Sequence, residues 1–195
     1  MHRSASVLRR RFMKAAVLSG LAARYPALAA PDTTSRKGST PLVAYFSRSG
    51  NTRVIAGQIH RAQKAALFEI QPAQPYPDDY LETVEQARRE RDRGYRPPIK
   101  ATVPDFARYQ TIYLGFPIWG GTVPPVIRAF LAAHDFKGKT IIPFITHGGY
   151  GIGNSLTILA ADVPGGRVLD RGFVMQADQE RQTLEQVTRW LSALT

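Results

Sequence analysis

The sequence predicts an α/β domain of three layers, in which a parallel β-sheet lies between two layers of helices. Short apolar runs of strand length alternate with amphipathic helical patterns from residue 42 to the C-terminus. Strands that alternate with helices are typical of parallel sheets with both faces buried. The chain has 195 residues, of which 44% are hydrophobic, and this suits one domain with a sizeable core.

The first half of the domain contains two predicted strands and two predicted helices. The apolar run 42–46 predicts a buried strand, followed by a helix over 51–63 and a second strand over 66–71. A Pro-rich loop over 72–77 leads to a charged helix over 79–93. Arginines and acidic residues are mixed at the end of that helix, which indicates a solvated face.

The second half continues the same alternation. A third strand is predicted over 111–116, and the next helix begins at Pro124 and Pro125, since proline is tolerated in a first turn. A fourth strand follows over 140–146 and a fifth, short strand around 167–173. The closing helix has its apolar residues at helical spacing: Leu184, Val187, Leu191 and Leu194.

The N-terminal segment predicts an export signal. Residues 8–14 match the twin-arginine pattern [ST]-R-R-x-F-L-K except at Leu8 and at Met13, which replaces leucine conservatively. A short apolar stretch over 15–23 and the Ala-Leu-Ala sequence of residues 27–29, typical of a cleavage site, follow. The alternatives are a basic, disordered N-terminus or a helix on a membrane surface.

This signal defines the predicted domain organisation. Residues 1–29 are expected to be a twin-arginine signal peptide, residues 30–40 a flexible linker, and residues 41–195 the folded domain. The twin-arginine route carries proteins that are already folded, commonly with a cofactor loaded in the cytoplasm, and the predicted location is the periplasm. The apolar stretch is too short to span a bilayer, so no stable membrane insertion is expected after cleavage.

Composition and charge argue against several function classes. The chain has no cysteine and four scattered histidines, so no metal is expected and a cysteine nucleophile is excluded. Six of the 26 Lys and Arg residues lie in the predicted signal peptide, which has no acid. The remainder has 20 basic against 15 acidic residues, and the formal net charge falls from +11 to +5. This moderate charge, without interleaved aromatics, does not predict a nucleic-acid partner.

The loop after the first strand predicts a phosphate site. Residues 47–52 read Ser-Arg-Ser-Gly-Asn-Thr and precede a helix, so hydroxyls, backbone N–H groups and the positive end of a helix dipole converge there. No lysine follows Gly50, which excludes a P-loop, and the closest match to G-x-G-x-x-G ends in Asn154. The alternative is an ordinary Ser/Gly turn with Asn51 or Thr52 as a helix cap.

Two further glycine-rich loops are predicted at the same edge of the sheet. Residues 115–121 follow the third strand and residues 146–153 follow the fourth. Ligands of such sheets bind outside the carboxyl ends of the strands. Trp119 and Tyr150 offer flat faces suited to a tricyclic ring, and glycine permits close approach of the backbone. The alternative is that Trp119 packs in the core and Tyr150 lies on a surface loop.

Taken together, these loops resemble the flavodoxin-like family of short bacterial FMN-binding proteins, over residues 41–195. Further matching segments are 75–80, 130–131, 136–140 and 144–149. The resemblance implies a flavodoxin-like three-layer sandwich whose five-stranded parallel sheet has the order 2-1-3-4-5, with helices on both faces. It also implies FMN as the cofactor, bound at the switch point between strands one and three.

The resemblance implies three groups of FMN-binding residues. The phosphate loop would hold the FMN phosphate through Ser47, Arg48, Ser49, Gly50, Asn51 and Thr52, with Arg48 adding charge or pointing to solvent. The loop after strand three would supply Pro117, Ile118, Trp119 and Gly120. The loop after strand four would line the pyrimidine edge through Thr146, His147, Gly148, Gly149, Tyr150 and Gly151.

Within these groups, Trp119 would pack against the isoalloxazine ring and Tyr150 is a candidate cover for its other face. Gly120 would supply the flexible peptide near flavin N5, although many relatives carry a second aromatic residue at that position. His147 is equally consistent with a hydrogen bond near the flavin and with a structural role at the strand end.

The expected function is electron transfer by an exported FMN-binding protein whose partner is a redox partner protein or a quinone. No acid–base dyad or nucleophile triad is present in the pattern, so no catalytic side chain is assigned. One alternative is an FMN-dependent NAD(P)H:quinone or nitro reductase, and another is a flavin-free binding module on the same fold. The net charge of +5 predicts a less negative reduction potential than that of acidic flavodoxins. A homodimer is left open.

Overall fold

A parallel β-sheet forms the centre of the structure, a computed structural model that describes residues 39–176 and 183–194. Its strands are β1 (Leu42–Tyr45), β2 (Ala66–Glu69), β3 (Thr111–Pro117), β4 (Thr140–His147), β5 (Arg167–Val168) and β6 (Phe173–Gln176). They pair in parallel in the order β2-β1-β3-β4-β5, and β6 also pairs with β4. The predicted order 2-1-3-4-5 is confirmed, with its switch point between β1 and β3.

Helices cover both faces of this sheet. Within the described residues they are α1 (Asn51–Gln63), α2 (Tyr80–Asp92), α3 (Pro125–Ala132), α4 (Ser155–Asp162) and α5 (Thr183–Ser192), with a 3-10 turn at Phe106–Arg108. Helices α1 and α5 pack on one face, and α3 and α4 on the other. The three predicted layers are therefore present.

Strand β1 contributes to a hydrophobic core on each face of the sheet. Side chains alternate along a strand, so Leu42 and Ala44 join the core beneath α3 and α4 while Val43 and Tyr45 join the core beneath α1 and α5. All four residues are buried. An uninterrupted apolar run is what a central parallel strand requires, because neither of its faces meets water.

The fifth strand differs from the prediction of one segment over 167–173. Two short strands take its place, with β5 paired to the start of β4 and β6 to its end. The Ile141 carbonyl accepts the Leu169 N–H (2.9 Å). Odd-numbered residues of β4 therefore direct their backbone N–H and C=O groups towards β5 and β6. Pro143 has that orientation but no N–H to donate. The hydrogen-bond ladder is therefore interrupted opposite Pro143.

Helix α4 is the element that sequence reasoning missed. Its apolar residues Leu156, Ile158 and Leu159 do not form a clear stripe over so short a segment, although Leu159 is fully buried. The predicted signal peptide, residues 1–29, and most of the linker lie outside the described residues. In the part of the chain that is described, no helix combines the length and apolar character needed to cross a membrane.

Candidate functional site

The loops that follow β1, β3 and β4 meet at one edge of the sheet. The parallel register sets Tyr45 beside Gly115, and Pro117 beside Thr146, so the three carboxyl ends lie together. A cleft of about 440 Å³ opens there, within the usual size range of cofactor sites. It is lined by Arg48, Ser49, Asn51, Tyr80, Thr83, Val84, Ala87, Arg88, Arg91, Pro117, Ile118, Trp119, Gly120, Thr146, His147 and Gly148.

Most of the residues predicted to bind the cofactor line this cleft, and members of all three groups are among them. Those that do so are Arg48, Ser49, Asn51, Pro117, Ile118, Trp119, Gly120, Thr146, His147 and Gly148. Ser47, Gly50 and Thr52 belong to the same phosphate loop but do not line the cleft. Gly149, Tyr150 and Gly151 lie outside its lining as well.

The phosphate loop presents backbone donors at the start of α1. Gly50 is the N-cap with φ of 97°, a left-handed conformation that glycine adopts without strain, and its N–H donates to Ser47 Oγ (3.1 Å). The first helical hydrogen bond runs from the Val54 N–H to the Gly50 carbonyl (3.1 Å). The N–H groups of residues 51–53 therefore precede the helical ladder, and no acidic residue stands in the first turn. This arrangement suits an anion.

A buried hydrogen bond connects the phosphate loop to β4. Thr52 Oγ1 and Thr146 Oγ1 are 2.9 Å apart, and both side chains are buried. Since Thr52 lies in the first turn of α1, this bond anchors the loop against the end of a central strand. The Thr52 side chain thus has a structural partner and does not line the cleft.

Trp119 lies on the wall of the cleft between two other aromatic residues. Its ring makes edge contacts with Phe46 at 5.2 Å between ring centroids and with Tyr76 at 4.8 Å, at interplanar angles of 83° and 86°. Such T-shaped pairs are favourable and orient the rings involved. The indole is thereby held in one orientation at the aromatic end of the cleft.

Tyr76 is in turn held by a buried carboxylate. Its hydroxyl donates to Glu90 Oε2 (2.7 Å), and Gln86 Nε2 donates to Glu90 Oε1 (2.9 Å). Glu90 is only 8% exposed. Burial raises the pKa of Tyr76, and the acceptor carboxylate of Glu90 raises it further. The Tyr76 phenol therefore remains a hydrogen-bond donor throughout the neutral pH range. Glu90 thus holds Tyr76, and Tyr76 packs against Trp119 in the wall of the cleft.

A family model described as Flavodoxin matches residues 40–194. The chain belongs to the flavodoxin family. No curated protein matches it significantly.

Solved structures show the same fold. A candidate flavoprotein from Bacteroides uniformis is 34% identical with a TM-score of 0.70, and the match covers 80% of this chain and 99% of that chain. A candidate flavoprotein from Bacteroides eggerthii is 32% identical with a TM-score of 0.68, covering 80% and 98%. A flavoprotein from Lactobacillus acidophilus in complex with FMN is 21% identical with a TM-score of 0.60, covering 76% and 99%.

Helix α2 forms a wall of this flavodoxin-family cleft that sequence reasoning missed. Its lining residues recur every three or four positions: Tyr80, Thr83, Val84, Ala87, Arg88 and Arg91. The mixed charges at the end of this helix favour a solvated face, yet Arg88 and Arg91 line the cleft. Thr83 and Ala87 are small residues one helical turn apart, and both are buried. Their spacing is the sequence signal for the face of α2 that is turned towards the cleft.

The two ends of the cleft have different chemical character. At one end Arg48 of the phosphate loop donates to the Asp78 carbonyl, and its guanidinium lies 6.0 Å from the Tyr80 ring centroid. At the other end are Trp119 and the Gly120 peptide. A cationic, N–H-rich end and an aromatic end fit a ligand with an anionic group and a flat ring, as FMN has. Tyr150 is 96% exposed, and its expected stacking on the ring stays a prediction.

Proposed function

We propose that this protein binds FMN in the cleft and transfers electrons between redox partners outside the cytoplasm. The observation that carries the proposal is the cleft itself, which unites the phosphate loop with the Trp119 wall. Membership of the flavodoxin family supports FMN as the cofactor, and the Lactobacillus acidophilus protein of the same fold is a complex with FMN. A bound flavin supplies reversible one- and two-electron chemistry.

The residues of the chain would bind and orient this cofactor. The N–H groups at the start of α1, with Ser49, Asn51 and Arg48, would hold the phosphate. Trp119 would pack against the ring, in an orientation that Phe46 and Tyr76 support. Backbone groups between Thr146 and Gly148 would line the polar edge of the ring.

An absorption spectrum of the purified protein tests cofactor binding. We expect the bands of oxidised flavin, and we expect the FMN-free protein to regain them when FMN is added. Asn51→Ala removes one amide from the phosphate loop and should weaken FMN binding severalfold, whereas Asn154→Ala, outside the cleft, should not. Protein that takes up no FMN even after its addition would overturn the proposal and leave the flavin-free binding module.

An FMN-dependent NAD(P)H:quinone or nitro reductase is the second candidate. It is favoured by the composition of the cleft, whose lining includes three arginines and no carboxylate among the described residues. Such a lining attracts anionic co-substrates. Steady-state oxidation of NADPH in the presence of a quinone separates the two candidates, because a carrier oxidises NADPH only when a separate reductase is added.

Export by the twin-arginine route is part of the proposal. It is supported by residues 8–14 and by the Ala-Leu-Ala sequence that ends at residue 29. In cells, the double variant Arg9→Lys/Arg10→Lys should abolish accumulation in the periplasm, because the route requires both arginines. Arg11→Lys, at the variable position of the pattern, is the matched control and should be exported normally. Equal export of both variants would exclude this route.

A further inference from the structure

A positive charge stands at the aromatic end of the cleft, away from the phosphate loop. Arg91 lies in the last turn of α2 and lines the cleft. Its guanidinium occupies the space that a Cβ on Gly120 would fill, so it rests against the backbone of the loop that carries Trp119. Gly120 has φ of 58°, and its lack of a side chain is what allows this close approach.

Distance separates Arg91 from the phosphate end of the cleft. Tyr80, at the other end of α2, lies beside Arg48. Arg91 follows Tyr80 by eleven residues, which at about 1.5 Å per residue corresponds to roughly 16 Å along the helix. Over that distance solvent and salt screen most of the interaction between charges, since the Debye length is about 8 Å at physiological ionic strength. Arg91 therefore starts from a position on α2 that is well removed from Tyr80, the residue beside Arg48.

The charge of Arg91 is less compensated than that of its neighbour on the same wall. Arg88 makes two hydrogen bonds to the carboxylate of Glu85, at 3.1 and 3.0 Å. Arg91 has an ion pair with Asp92 at 3.3 Å, in which the Asp92 side chain is half exposed. Pairs of this kind contribute at most about 1 kcal/mol. No aspartate or glutamate is among the described residues that line the cleft.

We propose that Arg91 raises the reduction potential of the cofactor. This inference rests on the proposed function, namely FMN binding in the cleft. Uptake of two electrons from a reductant and of one proton leaves the flavin ring with one additional negative charge. A guanidinium in the same cleft stabilises that charge and has no comparable interaction with the neutral oxidised ring. Arg91 is thus a positioned charge that favours the reduced state over the oxidised state.

The test compares two charge deletions at the C-terminal end of α2 in FMN-loaded protein. Arg91→Gln removes the charge at the cleft, and Arg93→Gln removes an equal charge from the C-cap of α2, which does not line the cleft. The midpoint potential is measured by titration with dithionite, and the affinity for oxidised FMN by fluorescence. We expect Arg91→Gln to weaken binding of reduced relative to oxidised FMN about tenfold more than Arg93→Gln does, which equals about 30 mV for a two-electron couple.

Equal potentials in the two variants would overturn the inference, because Arg91 would then act only through the net charge. Arg91→Lys keeps the charge and should retain most of the wild-type potential. If Arg91→Gln does not fold, Arg91→Met takes its place, because methionine keeps the aliphatic stem without the charge. The midpoint potential should fall by the same amount in Arg91→Met, and an unchanged potential would refute the role of Arg91. Failure of the wild-type protein to bind FMN would instead contradict the proposed function.

Discussion

The hydroxyl of Thr146 is half of a buried hydrogen bond that joins the phosphate loop to β4. Thr146→Val keeps the shape of the side chain and leaves the Thr52 hydroxyl buried without this partner, which typically costs about 1–3 kcal/mol. We expect urea unfolding to show a loss of stability in this range. Thr146→Ser retains a hydroxyl and should lose much less. Equal stability of the valine and serine variants would contradict the structural role.

Tyr76 is the residue through which a buried carboxylate supports Trp119. Tyr76→Phe keeps the edge contact with the indole but deprives Glu90 of a donor, so we expect a loss of about 1–3 kcal/mol in unfolding free energy. Tyr95→Phe is the matched control, because Tyr95 is exposed and exposed substitutions usually change stability by less than about 0.5 kcal/mol. A Tyr76 variant as stable as the Tyr95 variant would show that Glu90 needs no donor from the phenol.

At the scale of elements, the first turn of α2 determines how firmly this wall of the cleft is held. Asp79 is the N-cap and its carboxylate accepts the Glu82 N–H (2.9 Å). Asp79→Ala should cost about 0.5–2 kcal/mol, since an N-terminal donor of the helix loses its acceptor. Hydrogen exchange should show reduced protection in α2, and FMN should bind more weakly. Asp79→Asn, which caps equally well, should leave both properties nearly unchanged.

His134 links the end of α3 to the segment before the 3-10 turn and makes stability depend on pH. Its Nε2 accepts the Val103 N–H (3.0 Å), which requires an unprotonated nitrogen, and its Nδ1 lies 2.8 Å from the Phe130 carbonyl. Burial lowers the pKa of His134 below the ordinary value of 6.5. The unfolded chain therefore takes up the proton first as pH falls.

Stability should consequently be complete above the ordinary histidine pKa and decrease as pH falls through it towards the lowered value in the folded state. Urea unfolding between about pH 7.5 and about pH 5.5 measures this slope, above the range where most carboxylates titrate. His134→Gln has no titrating ring and should show a flatter dependence. If the unfolding free energy of His134→Gln changed with pH as steeply as that of the wild-type protein, the pH dependence would belong to another group.

At the scale of the whole molecule, the excess of positive charge should act on the cofactor as a general field. The chain after residue 29 has 20 basic and 15 acidic residues, so the reduced, more negative flavin is favoured. We expect a potential well above that of acidic flavodoxins, and a fall in this potential when salt is raised from about 0.05 to about 0.5 M, since screening weakens the field. A potential that does not respond to salt would contradict this view.

The layers and the three loops at the edge of the sheet could be predicted from local patterns in the sequence, whereas the strand order and the FMN-binding residues of those loops are implied by the resemblance to the flavodoxin-like family. The buried run at β1, the Ser-rich loop after it and the two prolines at the start of α3 are such patterns, and the structure has strand, loop and helix in those places. The split of the fifth strand depends on which side Pro143 faces in its neighbour. The placement of Arg91 against Gly120 depends on a contact between distant segments, and periodicity alone contains no information about it.

The interrupted fifth strand has a consequence for the behaviour of the folded molecule among other chains. An edge strand with a long row of unpaired N–H and C=O groups is a template on which another chain can add, and this leads to aggregation. Here the outer edge is formed by β5 and β6, two short segments separated opposite Pro143, and the other edge by the short strand β2. Among the residues that the structure describes, neither edge has a long continuous row of unpaired groups. The interruption at Pro143 thus disfavours edge-to-edge association through this side of the sheet.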